Sequence, residues 1–112
     1  MTLLDFIKQT PEGEEITVWD DTCDLEVYFY NQSGDAWDRA MLDLASKLNV
    51  VEVRNDGVVV DLYELIERNI DNPEFDELFY VIDIDDIMYD MDAILAGNVS
   101  EDWFNTFVHC LV

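Results

Sequence analysis

Two parts of the chain consist of short runs rich in β-branched and aromatic residues, each interrupted by a short polar segment, which predicts two β-hairpins. The first hairpin turns through the polar loop Asp20–Asp24. The second turns at Asn55-Asp56-Gly57, and an Asn or Asp before Gly between β-branched residues is a strong hairpin signal. The predicted strands are Ile16–Trp19, Leu25–Tyr30, Val50–Arg54 and Val58–Val60.

In most of the remaining chain, apolar residues recur at spacings of three and four positions, the pattern of amphipathic helices. Thr2 and Asp5 form a capping box at the start of the first helix, and Ser100 is an N-cap for the last one. Gly97 is suited to end the helix that precedes Ser100. The predicted helices are Leu3–Gln9, Asp35–Leu48, Leu62–Ile70, Asp83–Ala96 and a last helix that begins after Ser100.

Three segments break these patterns. Thr10–Gly13 predicts a turn, Asn31–Gly34 can cap the helix that follows it, and the secondary structure of Glu74–Val81 stays open. We therefore expect an α+β fold in which the two hairpins form one small antiparallel sheet. Amphipathic helices pack on one face of this sheet, and the C-terminal half is helical. A length of 112 residues is typical of a single domain, here residues 1–112.

The composition combines a well-filled core with an extreme negative charge. Asp and Glu number 27 against 5 Lys and Arg, so the formal net charge at pH 7 is −22, while half of the residues are hydrophobic and 12% are aromatic. Disordered acidic tails lack such aromatic content, so we expect a folded domain with its acids outside. The charge argues against direct binding to nucleic acid or to anionic membranes. Neither a signal peptide nor a long apolar run is apparent, which predicts a cytoplasmic protein.

Carboxylate pairs are so plentiful that none of them points to catalysis, and other residue types that enzymes use are scarce. His109 is the one histidine, and we interpret it as a surface or partly buried imidazole. Cys23 and Cys110 have no metal or redox spacing, so two reduced thiols are the simpler interpretation, and a disulfide between them stays open. The segment from Asp83 lacks the Gly and Glu of a calcium loop, and there is no glycine-rich phosphate loop. We predict no catalytic residue, no metal and no cofactor, and hence a protein that is not an enzyme.

The acids are concentrated towards the C-terminus, where 11 acids and no Lys or Arg follow Arg68. Asp83, Asp86 and Asp90 fall on one line of their predicted helix, at i, i+3 and i+7. Duplex DNA carries about one charge per 1.7 Å of its axis, so a net charge of −22 matches roughly 37 Å of duplex. The predicted partner-binding residues of this half are Asp76, Glu77, Asp83, Asp86 and Asp90.

A second acidic group surrounds the first predicted hairpin loop. Glu26, Tyr28 and Tyr30 share one face of their strand. If the opposite face packs on the core, both tyrosines are exposed beside carboxylates, a composition suited to a protein interface. The alternative is that a helix covers them. The predicted partner-binding residues of this group are Asp20, Asp21, Asp24, Glu26, Tyr28 and Tyr30.

In size, charge and the presence of aromatics beneath acids, the chain resembles the small acidic proteins of phages and mobile elements that imitate DNA, among them anti-restriction and anti-CRISPR proteins. The run Ile16–Tyr30 also resembles small uncharacterised proteins of gut Gram-positive bacteria and their mobile elements. The first resemblance implies a non-enzymatic inhibitor that occupies the DNA-binding cleft of a nuclease or another basic DNA-binding protein. Two alternatives stay open: an acidic adaptor for protein–protein contacts, and a salt-adapted domain of unrelated function. The oligomeric state is also open.

Overall fold

A computed structural model describes residues 1–30, 36–79 and 83–112, and its elements confirm the α+β prediction. Each predicted helix and strand is present within one residue of its expected bounds. Asn31–Gly34 lies outside the described residues, while a helix occupies most of the open segment Glu74–Val81. The elements are α1 Leu3–Lys8, β1 Glu15–Asp20, β2 Glu26–Tyr30, α2 Ala36–Lys47, β3 Val50–Arg54, β4 Gly57–Val60, α3 Leu62–Asn69, α4 Pro73–Leu78, α5 Ile84–Leu95 and α6 Glu101–Cys110.

The four strands form one sheet in the order β2-β1-β4-β3. Each hairpin is antiparallel, as predicted, but β1 and β4 pair in parallel, with Val18 opposite Val58. The sheet is therefore mixed, whereas we expected a wholly antiparallel sheet from the sequence. The reason is the connection between the hairpins: α2 returns the chain to the end of the sheet where β2 begins, so β3 runs parallel to β2 and β4 runs parallel to β1.

The pleat of the strands directs alternate side chains to opposite faces of the sheet. The face that packs on the helices is apolar, with Ile16, Val18, Val27, Phe29, Val58 and Val60 all buried. The opposite face carries Glu26, Tyr28 and Trp19. On that face the Arg54 guanidinium lies 5.0 Å from the centre of the Trp19 ring. Val59, which pairs with Trp19 across β1 and β4, is also buried, so the central strand β4 is covered on both faces.

The ends of the helices follow the predicted local signals. The Thr2 hydroxyl accepts a hydrogen bond from the Asp5 N–H, and the Asp5 carboxylate accepts one from the Thr2 N–H, so the capping box is confirmed. The hydrogen bond from the Thr2 backbone N–H to the Asp5 carboxylate, and then the interaction of that carboxylate with the Thr2 side chain, lower the pKa of Asp5. Ser100 accepts a hydrogen bond from the Trp103 N–H at the start of α6. Gly97 follows the last turn of α5 with a φ of +89°, a conformation in which glycine is favoured.

Gly57 has a different role from the one that we predicted for it. It is the first residue of β4 and not part of the turn, and neither Asn55 nor Asp56 has a positive φ. A Cβ atom on Gly57 would overlap the carbonyl oxygen of Thr17 in β1. The close approach of β4 to β1 therefore requires glycine here.

Candidate functional site

Helix α5 has one apolar face and one acidic face. The side chains that it buries against the core recur at helical spacing: Ile87, Met88, Met91, Ile94 and Leu95. Its other side carries Asp86, Tyr89 and Asp90, all of which are exposed. Asp86 and Asp90 are four positions apart, so their Cα atoms are separated by about 6 Å along the helix axis. The sequence periodicity thus presents two carboxylates and one aromatic ring on one side of a well-anchored helix.

The three acids that we predicted on one line of this helix do not have the same role. Asp83 precedes α5 as its N-cap, and its carboxylate accepts a 2.9 Å hydrogen bond from the N–H of Asp85. Asp86 and Asp90 lie within the helix, and neither has a Lys or Arg partner in the described part of the chain. Asp86 and Asp90 can therefore meet cations of a partner directly, whereas the Asp83 carboxylate is already engaged in capping.

A groove of about 560 Å³ lies beside α5, between this helix, the end of α4 and α6. We call it the α5 groove. Its apolar lining consists of Leu78, Phe79, Ile87, Ile94, Val99 and Trp103, and its rim on α5 consists of Asp86, Tyr89, Asp90 and Ala93. Tyr89 is 85% exposed, an unusual position for a large aromatic ring. The groove thus combines an apolar floor with two carboxylates and an exposed aromatic ring.

Aromatic rings that pack on one another support the floor of the α5 groove. The Phe79 and Trp103 rings are 5.5 Å apart and nearly perpendicular. Both also pack on Phe107, with centroid distances of 6.1 and 5.7 Å. Phe107 is fully buried and lies 6.2 Å from Phe75, which is buried as well. The floor is continuous with the packed core, because its rings contact the buried Phe107. Edge-to-face and stacked rings also favour defined geometries.

The other predicted acids of the C-terminal half lie beside the α5 groove. Asp76 and Glu77 are exposed on α4, but Leu78 and Phe79 are the residues of this segment that line the groove. Asp76 and Glu77 thus directly precede two groove-lining residues in sequence but do not themselves line the groove.

The first hairpin carries a second acidic surface, which we call the hairpin surface and which consists of Asp21, Asp24, Glu26 and Tyr28. All four residues are exposed. Tyr28 is 46% exposed, so the alternative in which a helix covers it is wrong. Its hydroxyl donates a 3.1 Å hydrogen bond to the Glu26 carboxylate, which raises the pKa of Tyr28. Tyr30 lies in β2, but its side chain is outside the part that the structure describes.

Asp20 is not part of the hairpin surface, and our assignment of it as an exposed partner-binding residue is wrong. It is only 8% exposed. One carboxylate oxygen accepts hydrogen bonds from the N–H groups of Thr22 and Cys23, and the other accepts one from the N–H of Tyr63, all at 2.8 Å. The strand alternation that directs Trp19 to the face away from the helices turns the next residue, Asp20, inward. There its carboxylate joins the hairpin loop to α3.

Both thiols are free and poorly suited to nucleophilic chemistry. Burial, and then a 3.2 Å hydrogen bond from the thiol to the Glu74 carboxylate, raise the pKa of Cys110 to about 11. Burial, and then the charge of Asp20, raise the pKa of Cys23. Because the thiolate is the reactive form, these raised pKa values lower the reactivity of both cysteines at neutral pH.

The α5 groove was not predicted from the sequence. One signal was present: Tyr89 lies between Asp86 and Asp90 on the polar side of an amphipathic helix, where an aromatic residue has no core to enter. The floor had no such signal, because Phe79 and Trp103 belong to segments that meet only in the folded chain.

Comparisons with known proteins assign no role to this site. No family model, curated protein or solved structure matches the chain. Within residues 1–30, 36–79 and 83–112, no three His, Cys, Asp or Glu side chains converge to hold a metal ion. No helix in these ranges has the length and apolar character needed to cross a membrane.

Proposed function

We propose that the protein is an acidic DNA mimic that inhibits a nuclease or another DNA-binding protein by occupying its DNA-binding cleft. Asp86 and Asp90 on α5 pair with Lys and Arg side chains that otherwise hold phosphates. Asp76 and Glu77 extend this contact along α4. Inhibition is competitive and needs no catalytic group, because the carboxylates replace the phosphates of the nucleic acid.

The observation that supports this proposal most directly is the unpaired row of acids on α5. Among the described residues, the ion pair Arg54–Glu52 lies on β3, in the other half of the chain. The sequence contains no Lys or Arg after Arg68, and within the described residues no Lys or Arg forms an ion pair with Asp86 or Asp90. Solubility requires a net charge of only about 2 to 8 in magnitude, and this chain has −22.

The size of the molecule agrees with the same proposal. Its longest dimension is 38 Å, and roughly 37 Å of duplex DNA carries the same number of negative charges as this chain has in net. The protein thus has the average linear charge density of a duplex. A basic cleft that attracts DNA attracts this surface by the same long-range field.

The experiment that tests the proposal combines affinity capture with elution by DNA. The protein is immobilised, exposed to a lysate of bacterial cells, and washed with a short duplex at constant salt. We expect the retained proteins to be basic DNA-binding proteins that the duplex displaces. Retained proteins that the duplex leaves in place would instead support the alternative, an acidic adaptor.

Two matched variants locate the contact. Asp86→Asn with Asp90→Asn removes two charges from α5, and Asp21→Asn with Asp24→Asn removes two charges from the hairpin surface. For a captured partner, we expect the α5 double variant to lose about tenfold in affinity, about 1.4 kcal/mol, and to respond less to salt than the unmodified protein. The hairpin double variant should lose clearly less. Equal effects of the two variants would show that only the overall charge matters and would contradict a mimic surface on α5.

A further inference from the structure

We infer that the α5 groove receives a basic amphipathic helix of the partner, with apolar side chains on the aromatic floor and Lys or Arg on Asp86 and Asp90. This inference rests on the proposed function for the class of partner, a DNA-binding protein. It adds the element by which that partner is held.

The apolar floor is the first reason. A surface that only imitates phosphates needs carboxylates and no apolar depression, yet Phe79 and Trp103 line a groove of about 560 Å³. Tyr89 stands at its rim with 85% of its surface exposed. Aromatic rings that flank a groove are typical contact residues of protein interfaces, because they bury a large area at a low entropy cost.

The charge at the rim selects the kind of helix. Asp86 and Asp90 are one turn apart, so cationic side chains at positions i and i+4 of a docked helix meet both carboxylates. Apolar side chains that lie beside these cations, at i+3 and i+7, then face the floor of the groove. An acidic or neutral helix lacks this complementarity, because Asp86 and Asp90 are exposed and have no ion pair among the described residues.

The same charge argues against two other occupants. A second copy of the chain also carries a net charge of −22, so its helices are repelled from the rim. An anionic lipid surface is repelled for the same reason.

A synthetic peptide tests this inference without knowledge of the natural partner. The probe is a fluorescent peptide of about 18 residues, or about five turns, with Leu at helical spacing and Lys elsewhere. A control peptide has the same composition but an order that destroys the apolar stripe. We expect the amphipathic peptide to bind at least about tenfold more tightly than the control peptide at moderate salt, measured by fluorescence anisotropy.

Two single substitutions separate the α5 groove from the rest of the acidic surface. Tyr89→Ala removes the aromatic ring at the rim, and Tyr28→Ala makes the same chemical change on the hairpin surface. Both side chains are exposed, so neither change opens a cavity in the core, and circular dichroism checks that each variant is folded. We expect Tyr89→Ala to weaken amphipathic peptide binding about fivefold, and Tyr28→Ala less than twofold.

The outcomes distinguish this inference from the proposed function. Equal binding of the two peptides, or equal effects of the two tyrosine variants, would show that the groove is not a docking site and would overturn the inference. These measurements involve no DNA, so the displacement of captured proteins by duplex remains a separate test. Peptide binding in the groove without displacement by duplex would support the inference while contradicting the proposed DNA mimicry.

Discussion

The buried carboxylate of Asp20 provides the most direct test of how this chain uses its acids. It accepts three backbone hydrogen bonds at 2.8 Å, from Thr22, Cys23 and Tyr63. Tyr63 is the second residue of α3, and the helix's own N-cap, Asp61, makes no side-chain capping bond. Asp20 therefore caps α3 from another element, and it places a negative charge at the positive end of that helix. We predict that Asp20→Asn destabilises the protein.

The magnitude follows from the hydrogen bonds that asparagine cannot make. Its single carbonyl oxygen can serve Thr22 and Cys23, but its NH₂ group then faces the N–H of Tyr63, so two donors oppose each other. A buried donor without a partner costs about 1–3 kcal/mol, and neutral acceptors also bind more weakly than a carboxylate. We expect a loss of about 2 kcal/mol, equivalent to a fall of about 8 °C in Tm for a domain of this size.

The assay is thermal and urea unfolding at one fixed ionic strength, with Asp21→Asn and Asp24→Asn as controls. All three variants remove one negative charge from the same hairpin, so they relieve charge repulsion to a similar extent. Asp21 and Asp24 are exposed, and we expect changes within about 0.5 kcal/mol for them. If Asp20→Asn is as stable as the two controls, the three hydrogen bonds contribute nothing and the structural role of Asp20 is refuted.

Three further predictions concern the core and the charge. The Tm of the unmodified protein should rise from low to moderate salt, because ions screen the repulsion of −22 net charges, and a falling Tm would contradict this. Gly57→Ala should cost at least about 3 kcal/mol in chemical unfolding, because its Cβ overlaps the Thr17 carbonyl, whereas Gly13→Ala, with a φ of +85° and open space, should cost only about 1 kcal/mol. The free energy of unfolding should fall as the pH rises from 9 to 11, since the unfolded Cys110 thiol loses its proton near 9.0 and the folded thiol keeps it to about 11. Cys110→Ala should show a shallower fall in the same titration.

Local signals predicted most of the elements, because each depends on a few neighbouring residues. The capping box of Thr2 and Asp5 and the helical spacing of Met88, Met91 and Leu95 are examples. The parallel pairing of β1 with β4 was not predictable in this way, since it depends on the path that α2 takes between the hairpins. Alternation along a strand predicts which side chains share a face of the sheet. It does not predict which strands of the two hairpins pair or in which direction they run.

The candidate site was predictable only in part, and for a related reason. The exposure of Asp86 and Asp90 follows from helical periodicity, and the structure agrees with it. Asp20 has the same side chain and a similar local setting to Asp21, yet only Asp20 is buried. Its burial depends on the N–H of Tyr63, 43 residues later in the chain. Such long-range hydrogen bonds cannot be inferred from the spacing of neighbouring residues in the sequence.

The position of each acid along α5 bears on whether its charge serves the fold. Asp83 and Asp85 lie at the N-terminal end, where the helix dipole stabilises a negative charge. Asp90 and Asp92 lie in the second half, where that dipole no longer helps, and no basic residue occupies the last turn. Asp86 and Asp90 also repel each other at i and i+4, by a few tenths of a kcal/mol. Because no Lys or Arg of the described residues pairs with Asp90, its carboxylate is available to a cation of a partner.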